Sequence, residues 1–527
     1  MSLAQGKLPL RKDGQIETRP LHVEEWLETL PYADFQRTAQ LLHEAMAATN
    51  TVAVKASARE ELHGLYDQPY RYYLQSQIKA GAQHTLASME SMQQQLQLMK
   101  LLAADLAYMS QLIVNDAGKS KSLWGKKPPV TAVQQALAYL SQALIFNFLE
   151  YGPTPRNVWK QLHSLYRFAE SIDKHHIAIS TAGGGRTSVA HTYCRIVLTE
   201  LVDPYHLPFG AIWEIYEQVD SWLDNIELLP YKNHDATAGL FVIDLNSDSP
   251  ATAYDRFDAN SAGDSHRLLD AGTLHRRAQQ ALDRILHGGR ADGLEISDTY
   301  RRLLLAQMSR AWHLPPKRYF PRSRVNGELP VICGLKPTHF HMNGGRDFLE
   351  NFSGSEPGGV EGLEVDDGPA VNVSQTGSHY TLEQWNMINK SSGGCALSRQ
   401  QRPLYTVRVG DMIGLRLDED GDDRNWQLGI IRWLMIDGSG HYRVGVKTLG
   451  TESKPVALRI NGSSGEPLRG FLVNNNGEIS VVTARDVLGP EQTIEVLTPA
   501  GNETLQTVQL IEEMAGSEQF SVCPLQP

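Results

Sequence analysis

A change in hydrophobic period near residue 313 constrains the fold of this chain more than any other feature. In residues 1–312 the apolar residues recur at steps of three and four, which is typical of amphipathic helices. In residues 313–527 they form short alternating or β-branched runs separated by Gly, Asp and Asn turns, which is typical of antiparallel sheets. The glycines follow the same division, since 17 of the 44 lie in the first part and 27 in the second. Two architectures therefore share one chain.

The first part predicts a bundle of helices. The stretch from Leu74 to Val114 contains no proline and a single glycine, Gly81, so we expect one long helix there. Its apolar stripe fits either a seam inside the bundle or a coiled-coil contact with a partner. The stripe consists of Met89, Met92, Leu96, Met99, Ala103, Leu106, Met109 and Ile113. Further helices are expected near residues 131–150, 155–171, 187–202, 208–226, 269–287 and 296–312.

The second part predicts an antiparallel barrel or sandwich. The expected strands are Leu329–Leu335, Trp385–Asn389, Met412–Leu417, Gln427–Ile436 and Tyr442–Leu449. The turn Asp437–Gly440 links the last two of these strands as a hairpin. The β pattern continues after Gly450, which indicates either a second small β unit or extra strands that pack on the first barrel.

These patterns predict an α+β protein with three parts. Residues 1–312 form an all-α scaffold or partner-binding domain, residues 313–450 form a β-barrel, and residues 451–527 form a C-terminal β extension. Residues 344–380 carry seven acidic residues and one arginine, together with several glycines, so we interpret them as an acidic insert within the barrel.

Several classes of protein are excluded. No stretch has the roughly 18 to 20 consecutive apolar residues of a membrane span, and no apolar segment follows the basic N-terminal residues. We therefore expect a cytoplasmic protein without a membrane span. Four cysteines without a CxxC pair argue against a disulfide scaffold or a zinc ribbon. The net charge of −11 provides no general basic field for nucleic acid, so an anionic ligand needs a local cluster of cations.

The sequence does not predict catalysis or a metal site. No nucleophile is arranged with a base, and no pair of carboxylates stands out. His339 and His341 are expected to alternate on a strand and to face the same side, but a third ligand is missing, so we interpret both as structural. We therefore predict a protein that is not an enzyme, with no catalytic residues and no metal.

A local cluster of cations precedes the first expected strand. Residues 317–324 read KRYFPRSR, and prolines at positions 315, 316 and 321 favour an extended linker there. Arginine forks suit phosphate oxygens, and their planar faces stack on purine rings. On the far side of the acidic insert, residues 389–394 read NKSSGG, in which an amide, hydroxyls and bare backbone meet at a turn.

These two segments resemble the paired motifs of a known family. Arg318-x-x-x-Arg322 followed by Asn389-x-Ser391-x-x-Gly394 is similar to the RxxxR and [D/N]xSxxG motifs of PilZ domains, the bacterial receptors for cyclic di-GMP. The later segment WQLGIIRWLMIDGSGHYRVGVKTL looks like the closing strands of a PilZ barrel. The spacing of 67 residues between Arg322 and Asn389 exceeds the usual one, and the acidic insert accounts for the excess.

The resemblance implies a PilZ-type barrel and a ligand-binding role for each matching residue. Arg318 and Arg322 would hold the phosphates and guanine faces of cyclic di-GMP, Asn389 and Ser391 would bind a guanine edge, and Gly394 would leave room at the turn. Further candidates for ligand contact are Lys317, Arg324 and Gly393. No cofactor other than this ligand is implied.

The function implied is a cyclic di-GMP effector that acts on an unidentified protein partner through its helical domain. Ligand binding would order the linker Arg318–Arg322 and change the angle between the helical and β parts. The alternative is a constitutive helical scaffold or interaction protein whose barrel binds no nucleotide. No resemblance covers the helical part.

Overall fold

Helices make up most of the first part of the chain. The structure is a computed structural model that describes residues 7–81, 89–119, 130–181, 184–223, 226–235, 237–290, 293–314, 321–346, 380–417, 425–462, 465–498 and 501–524. Its residues divide into two compact units, Met1–Pro204 with Gly210–Pro316, and Tyr205–Phe209 with Lys317–Pro527. We call them the helical unit and the two-barrel unit.

The helices of the first part are α1 (Pro20–Leu27), α2 (Phe35–Thr51), α3 (Ala56–Gly81), α4 (Met89–Lys119), α5 (Val130–Leu149), α6 (Val158–Ser171), α7 (Val189–Glu200), α8 (Ala211–Trp222), α9 (Gly272–Leu286) and α10 (Arg301–Ala311). Short 3-10 turns cover Pro204–His206, Tyr254–Arg256, Ala259–Ser261 and Asp298–Tyr300. Every helix expected after residue 130 is present, with ends shifted by a few residues.

The predicted apolar stripe lies on α4. Met99, Leu106 and Met109 are fully buried there, where α4 packs against α2, α3 and α5 of the same unit. The stripe is therefore a seam inside the helical unit, the first of the two interpretations. One helix was expected from Leu74 to Val114, but this stretch contains the end of α3 and most of α4.

The helical unit also contains short strands that the sequence did not predict. They are β1 (Ile179–Ser180), β2 (Arg186–Thr187), β3 (Leu228–Pro230), β4 (Leu240–Asp244), β5 (Thr252–Ala253) and β6 (His266–Asp270). β1 pairs with β2, and the other four strands form an antiparallel sheet in the order β3-β6-β4-β5. This sheet lies between α8 and α9 in the chain.

The second part forms two closed antiparallel barrels. The first barrel contains β7 (Ser323–Cys333), β8 (Glu383–Ser391), β9 (Gly394–Arg399), β10 (Met412–Arg416), β11 (Trp426–Ile436) and β12 (Tyr442–Thr448), in the order β10-β11-β12-β9-β8-β7. The second barrel contains β13 (Glu452–Ile460), β14 (Leu468–Asn475), β15 (Glu478–Ala484), β16 (Thr493–Thr498), β17 (Gly501–Glu513) and β18 (Ser517–Pro524), in the order β13-β14-β15-β18-β17-β16. The predicted fold class, a helical region followed by an antiparallel barrel and a further β unit, is confirmed.

Three details differ from the sequence predictions. The strand expected at Leu329–Leu335 begins six residues earlier, at Ser323, so Arg324 lies on β7 and not on a linker. β9 was not predicted as a strand. The strand expected for His339 and His341 is wrong, because both lie on helix α11 (Leu335–Met342).

Both histidines of α11 have structural partners. His339 is buried, and its Nε2 lies 3.2 Å from the carbonyl oxygen of Val456 in the second barrel. The Nε2 of His341 lies 2.7 Å from the carbonyl oxygen of Tyr380. Within the described residues no group of three metal-binding side chains comes together.

An apolar interface joins the two barrels. It is a buried cluster formed by Met412, Leu428, Ile430 and Leu449 of the first barrel and Phe471, Val473, Val482 and Met514 of the second. Each fully buried side chain of this size contributes about 1.5–3 kcal/mol. Glu512 of β17 adds charge-assisted bonds to the first barrel, since it pairs with Arg432 and with Lys447. The two barrels therefore stabilise each other.

Asp411, in the turn before β10, is expected to make the stability of this unit depend on pH. Its carboxylate accepts a hydrogen bond from the backbone N–H of Arg408 at 2.9 Å. Burial raises the pKa of Asp411 to about 7, although Arg408 acts to lower it. Because the pKa in the folded state exceeds that of the unfolded chain, the folded state retains a proton that the unfolded chain has lost between pH 4 and 7. The free energy of unfolding therefore falls as the pH rises through that window.

We expect the free energy of unfolding of the two-barrel unit to fall by about 2 kcal/mol between pH 5 and pH 8 because of this one group. The Asp411→Asn variant keeps an acceptor for the Arg408 N–H but cannot ionise, so it is expected to lose that part of the pH dependence. Urea unfolding of both proteins at pH 5, 6, 7 and 8 measures the difference. Parallel pH profiles would show that Asp411 titrates normally.

Candidate functional site

The β8–β9 hairpin carries the second of the two sequence motifs. Asn389 and Ser391 lie at the end of β8, Gly393 lies in the turn, and Gly394 begins β9. Ser391 pairs with Gly394 across the hairpin, and Ser391 Oγ donates a hydrogen bond to the carbonyl oxygen of Gly394 at 3.2 Å. The hydroxyl therefore closes the turn.

The first motif reaches this hairpin through the start of β7. Ser323 lies opposite Lys390, and Arg324 lies opposite Asn389 in the antiparallel register. Side chains directly opposite in such a pair have Cβ atoms about 5 Å apart and share a face. Arg322 is exposed and immediately precedes this pairing. The structure thus brings Arg322 and Arg324 to the hairpin motif, although 33 intervening residues, 347–379, lie outside the described ones.

Two of the predicted cations are not described. Lys317 and Arg318 fall in residues 315–320, which lie outside the described residues, as does most of the acidic insert 344–380. Their ligand-binding roles stay predictions, as do the roles of the other site residues.

Asn389 has an unsatisfied polar atom. Its Oδ1 is buried and has no hydrogen-bond partner among the described residues. A buried acceptor without a partner costs about 1–3 kcal/mol. The Asn389 Oδ1 at the end of β8 is therefore an acceptor that no donor among the described residues satisfies.

Gly394 allows an unusually close approach of strands. Its φ is +150°, and a Cβ at this position would lie 1.9 Å from the carbonyl oxygen of Val446 on β12. Any side chain would push β9 away from β12 at the pair that Gly394 forms with Lys447. The space at Gly394 is thus filled by the neighbouring strand.

A small cavity lies beside the hairpin, with a volume of about 130 Å³. It is lined by Met387, Lys390, Ser391, Ser392, Gly394, Cys395, Leu415, Leu417, Gln427 and Thr448. Pockets that enclose a drug-sized ligand usually have 300–1,000 Å³. This cavity therefore suits one group of a larger ligand and not a whole dinucleotide.

Three residues that line this cavity were not predicted from the sequence, namely Lys390, Gln427 and Thr448. Lys390 lies inside the motif, between Asn389 and Ser391, so its position in the motif was an available signal. Gln427 and Thr448 come from other strands, and only the register of the barrel brings them to the hairpin.

The described side chains around the hairpin supply positive charge and hydrogen-bonding groups. Arg322, Arg324 and Lys390 are exposed cations. Burial raises the pKa of the Cys395 thiol to about 11, although Lys390 nearby acts to lower it. The thiol therefore stays protonated at neutral pH, when it is a weak nucleophile.

Comparison with known proteins gives two family matches. The model of the N-terminal domain of the cyclic-di-GMP receptor FimW matches residues 21–233. The model of the middle PilZ domain of that receptor matches residues 240–362 and 364–455, and so begins inside the part that we predicted as helical. In the described part of the chain, no helix combines the length and hydropathy that crossing a membrane requires.

A curated relative agrees with these matches. The cyclic-di-GMP receptor FimW of Pseudomonas aeruginosa (strain PAO1) is 21% identical to this chain over 495 residues, which cover 84% of this chain and 79% of the relative. No solved structure matches. The resemblance to PilZ domains is therefore confirmed, and the helical part, for which no resemblance was predicted, also matches a family model. Because the two models together cover most of its residues, this chain belongs to the family of PilZ-domain cyclic di-GMP receptors that they describe.

Proposed function

We propose that this protein is an effector that binds cyclic di-GMP at the β8–β9 hairpin and at the arginines before β7. One observation carries the proposal: the register of β7 and β8, which sets Arg324 directly opposite Asn389. It brings the end of the arginine motif beside the hairpin motif across an insert of more than 30 residues. Homology to the receptor FimW supports the same ligand.

The chemistry of the ligand fits the groups present. Cyclic di-GMP carries two phosphate charges and two guanine rings. The guanidinium groups of Arg318 and Arg322 would donate paired hydrogen bonds to phosphate oxygens. The N1–H and N2–H groups of guanine would supply the donors that the buried Oδ1 of Asn389 lacks.

The binding step would be transmitted by a change between the two compact units. One of the boundaries between them falls at Pro316 and Lys317, directly before the first arginine of the motif. A ligand held by Arg318 and Arg322 on one side and by Asn389 on the other would tie this boundary segment to the first barrel. An unidentified protein partner would then sense the helical unit. We expect this signalling to be non-catalytic and to occur in the cytoplasm.

Titration of the full-length protein with cyclic di-GMP tests the function. We expect heat release in a calorimeter, and an affinity that falls as salt is raised from 50 to 500 mM, because phosphate contacts are screened. Small-angle scattering on the same samples should show a change in the radius of gyration on saturation. Cyclic di-AMP is the matched control, since adenine has no N1–H to donate to Asn389.

The outcomes separate the possible functions. No heat with cyclic di-GMP would favour the alternative, a constitutive helical scaffold whose barrel binds no nucleotide. Heat release without a change in the radius of gyration would support the binding step and contradict transmission by movement of the units.

A further inference from the structure

A continuous row of side chains crosses the outer face of the first barrel at the proposed site. Asn389 lies opposite Ala396, and Ala396 lies opposite Gly445. Gly445 lies opposite Trp433, next to a register shift in β11. Together with Arg324, which lies opposite Asn389, these residues link five neighbouring strands. Residues directly opposite on paired strands share a face of the sheet.

The neighbouring row shows that this face is the outer one. Leu397 and Val444 pair with each other, and Val444 pairs with Leu434. All three are at most 1% exposed, as expected for side chains that fill the barrel. Since successive residues of a strand point to opposite faces, the row from Asn389 to Trp433 points outward.

Gly445, in the middle of the row, has no side chain, and the indole of Trp433 covers this position. A Cβ at Gly445 would lie 1.8 Å from Trp433 Nε1 and 2.4 Å from the two adjacent ring carbons. The indole therefore lies against the backbone of Gly445. Trp433 itself is half-buried, so part of the ring remains accessible to solvent.

The indole lies close to the predicted ligand motif. Gly445 is two strands away from Asn389, or about 10 Å at the usual spacing of strands. The neighbouring pair Gly394 and Lys447 belongs to the same two strands, β9 and β12. A ring placed on the indole thus has Asn389 two strands away and the hairpin motif near it on the same two strands.

We propose that Trp433 is a specificity-determining residue on which one guanine ring of the ligand stacks, with the edge of that ring toward Asn389. This inference rests on the proposed function and adds to it a residue outside the two sequence motifs. Base–aromatic stacking contributes about 1–3 kcal/mol per base. An aromatic side chain over a strand glycine also stabilises a sheet, so the test must separate a contact with the ligand from this structural role.

Two variants of the full-length protein make this separation. Trp433→Leu removes the aromatic face, and we expect cyclic di-GMP to bind about 10- to 100-fold more weakly in calorimetry. Trp433→Phe keeps an aromatic face, and we expect its affinity to stay within about threefold of that of the wild type. Equal affinities for the wild type and Trp433→Leu would overturn the inference.

Fluorescence provides a measurement that does not depend on the folding of Trp433→Leu. Guanine stacked on Trp433 should quench part of the tryptophan emission of the wild type, and the quenching should disappear in Trp433→Phe at saturating ligand. Trp222→Phe is the matched control, because Trp222 is a half-buried tryptophan of the helical unit, and its quenching should persist. Quenching that survives in Trp433→Phe would contradict stacking. A wild type that releases no heat would instead defeat the proposed function itself, and this inference with it.

Discussion

Replacing Gly394 with alanine is expected to lower the free energy of unfolding of the two-barrel unit by about 4 kcal/mol, a large effect for one methyl group. Two costs add up. The φ of +150° is a conformation that glycine adopts and other residues avoid, which costs about 1–3 kcal/mol. The new Cβ would lie 1.9 Å from the carbonyl oxygen of Val446, so β9 must also move away from β12 and lose hydrogen bonds of the ladder.

Thermal unfolding of the full chain measures this loss, and the midpoint should fall by roughly 10 °C for a unit of about 200 residues. Hydrogen exchange should show that the amides of β9 and β12 lose protection first. Gly327→Ala is the matched control, since Gly327 lies on β7 of the same barrel and no heavy atom is within 4 Å of the position of its Cβ. A Gly394→Ala protein as stable as this control would show that the two strands separate easily at Gly394.

The elements that could be predicted from the sequence are those with a strong local pattern. The stripe needs only helical spacing to be read, and its members from Leu96 to Ile113 are buried on α4 as expected. β11 and β12 are runs of alternating or β-branched residues joined by the turn Asp437–Gly440, and both strands are present. In these cases local propensity and tertiary packing agree.

The elements that could not be predicted depend on distant residues. The alternation of His339 and His341 indicated a strand, yet both lie on α11, where His339 packs beside Phe471 and within hydrogen-bond distance of Val456, both in the second barrel. The strands β3 and β5 have only three and two residues, too few for a period to show. Pairing with β6 and β4 holds them in the sheet.

The candidate site also contains some residues that could be predicted from the sequence and others that could not. The order of the two motifs along the chain sufficed to propose Arg322, Asn389 and Ser391, because each motif is continuous in sequence. The sequence did not single out Thr448, which lines the cavity beside the hairpin, or Trp433, which lies over Gly445, because only cross-strand register brings these residues to their neighbours. Register follows from the packing of a whole barrel, including its bulges, and one of these bulges lies in β11 just before Trp433.

The double substitution Arg318→Ala/Arg322→Ala is expected to weaken cyclic di-GMP binding at least 100-fold. A hydrogen bond to a charged group contributes about 1.5–3 kcal/mol, so the loss of two arginine contacts to phosphate removes about 3–6 kcal/mol. Arg322 is exposed just before β7 and has no buried partner among the described residues, so its removal should leave the fold intact. Calorimetric titration measures the affinity, and the thermal midpoint should stay within about 2 °C of that of the wild type.

A control must show that the weaker binding comes from the position of the two arginines and not from the change in the net charge of the chain. Arg276→Ala/Arg284→Ala is the matched control, because both residues are exposed on α9 of the helical unit and their removal changes the charge of the chain by the same amount. Its affinity should equal that of the wild type. The salt dependence should also become shallower in the Arg318/Arg322 variant alone, because the screened contacts are the ones that it has lost. If the two double variants bind equally well, the arginines before β7 do not hold the phosphates, and the ligand is held by the hairpin and the outer face of the barrel alone.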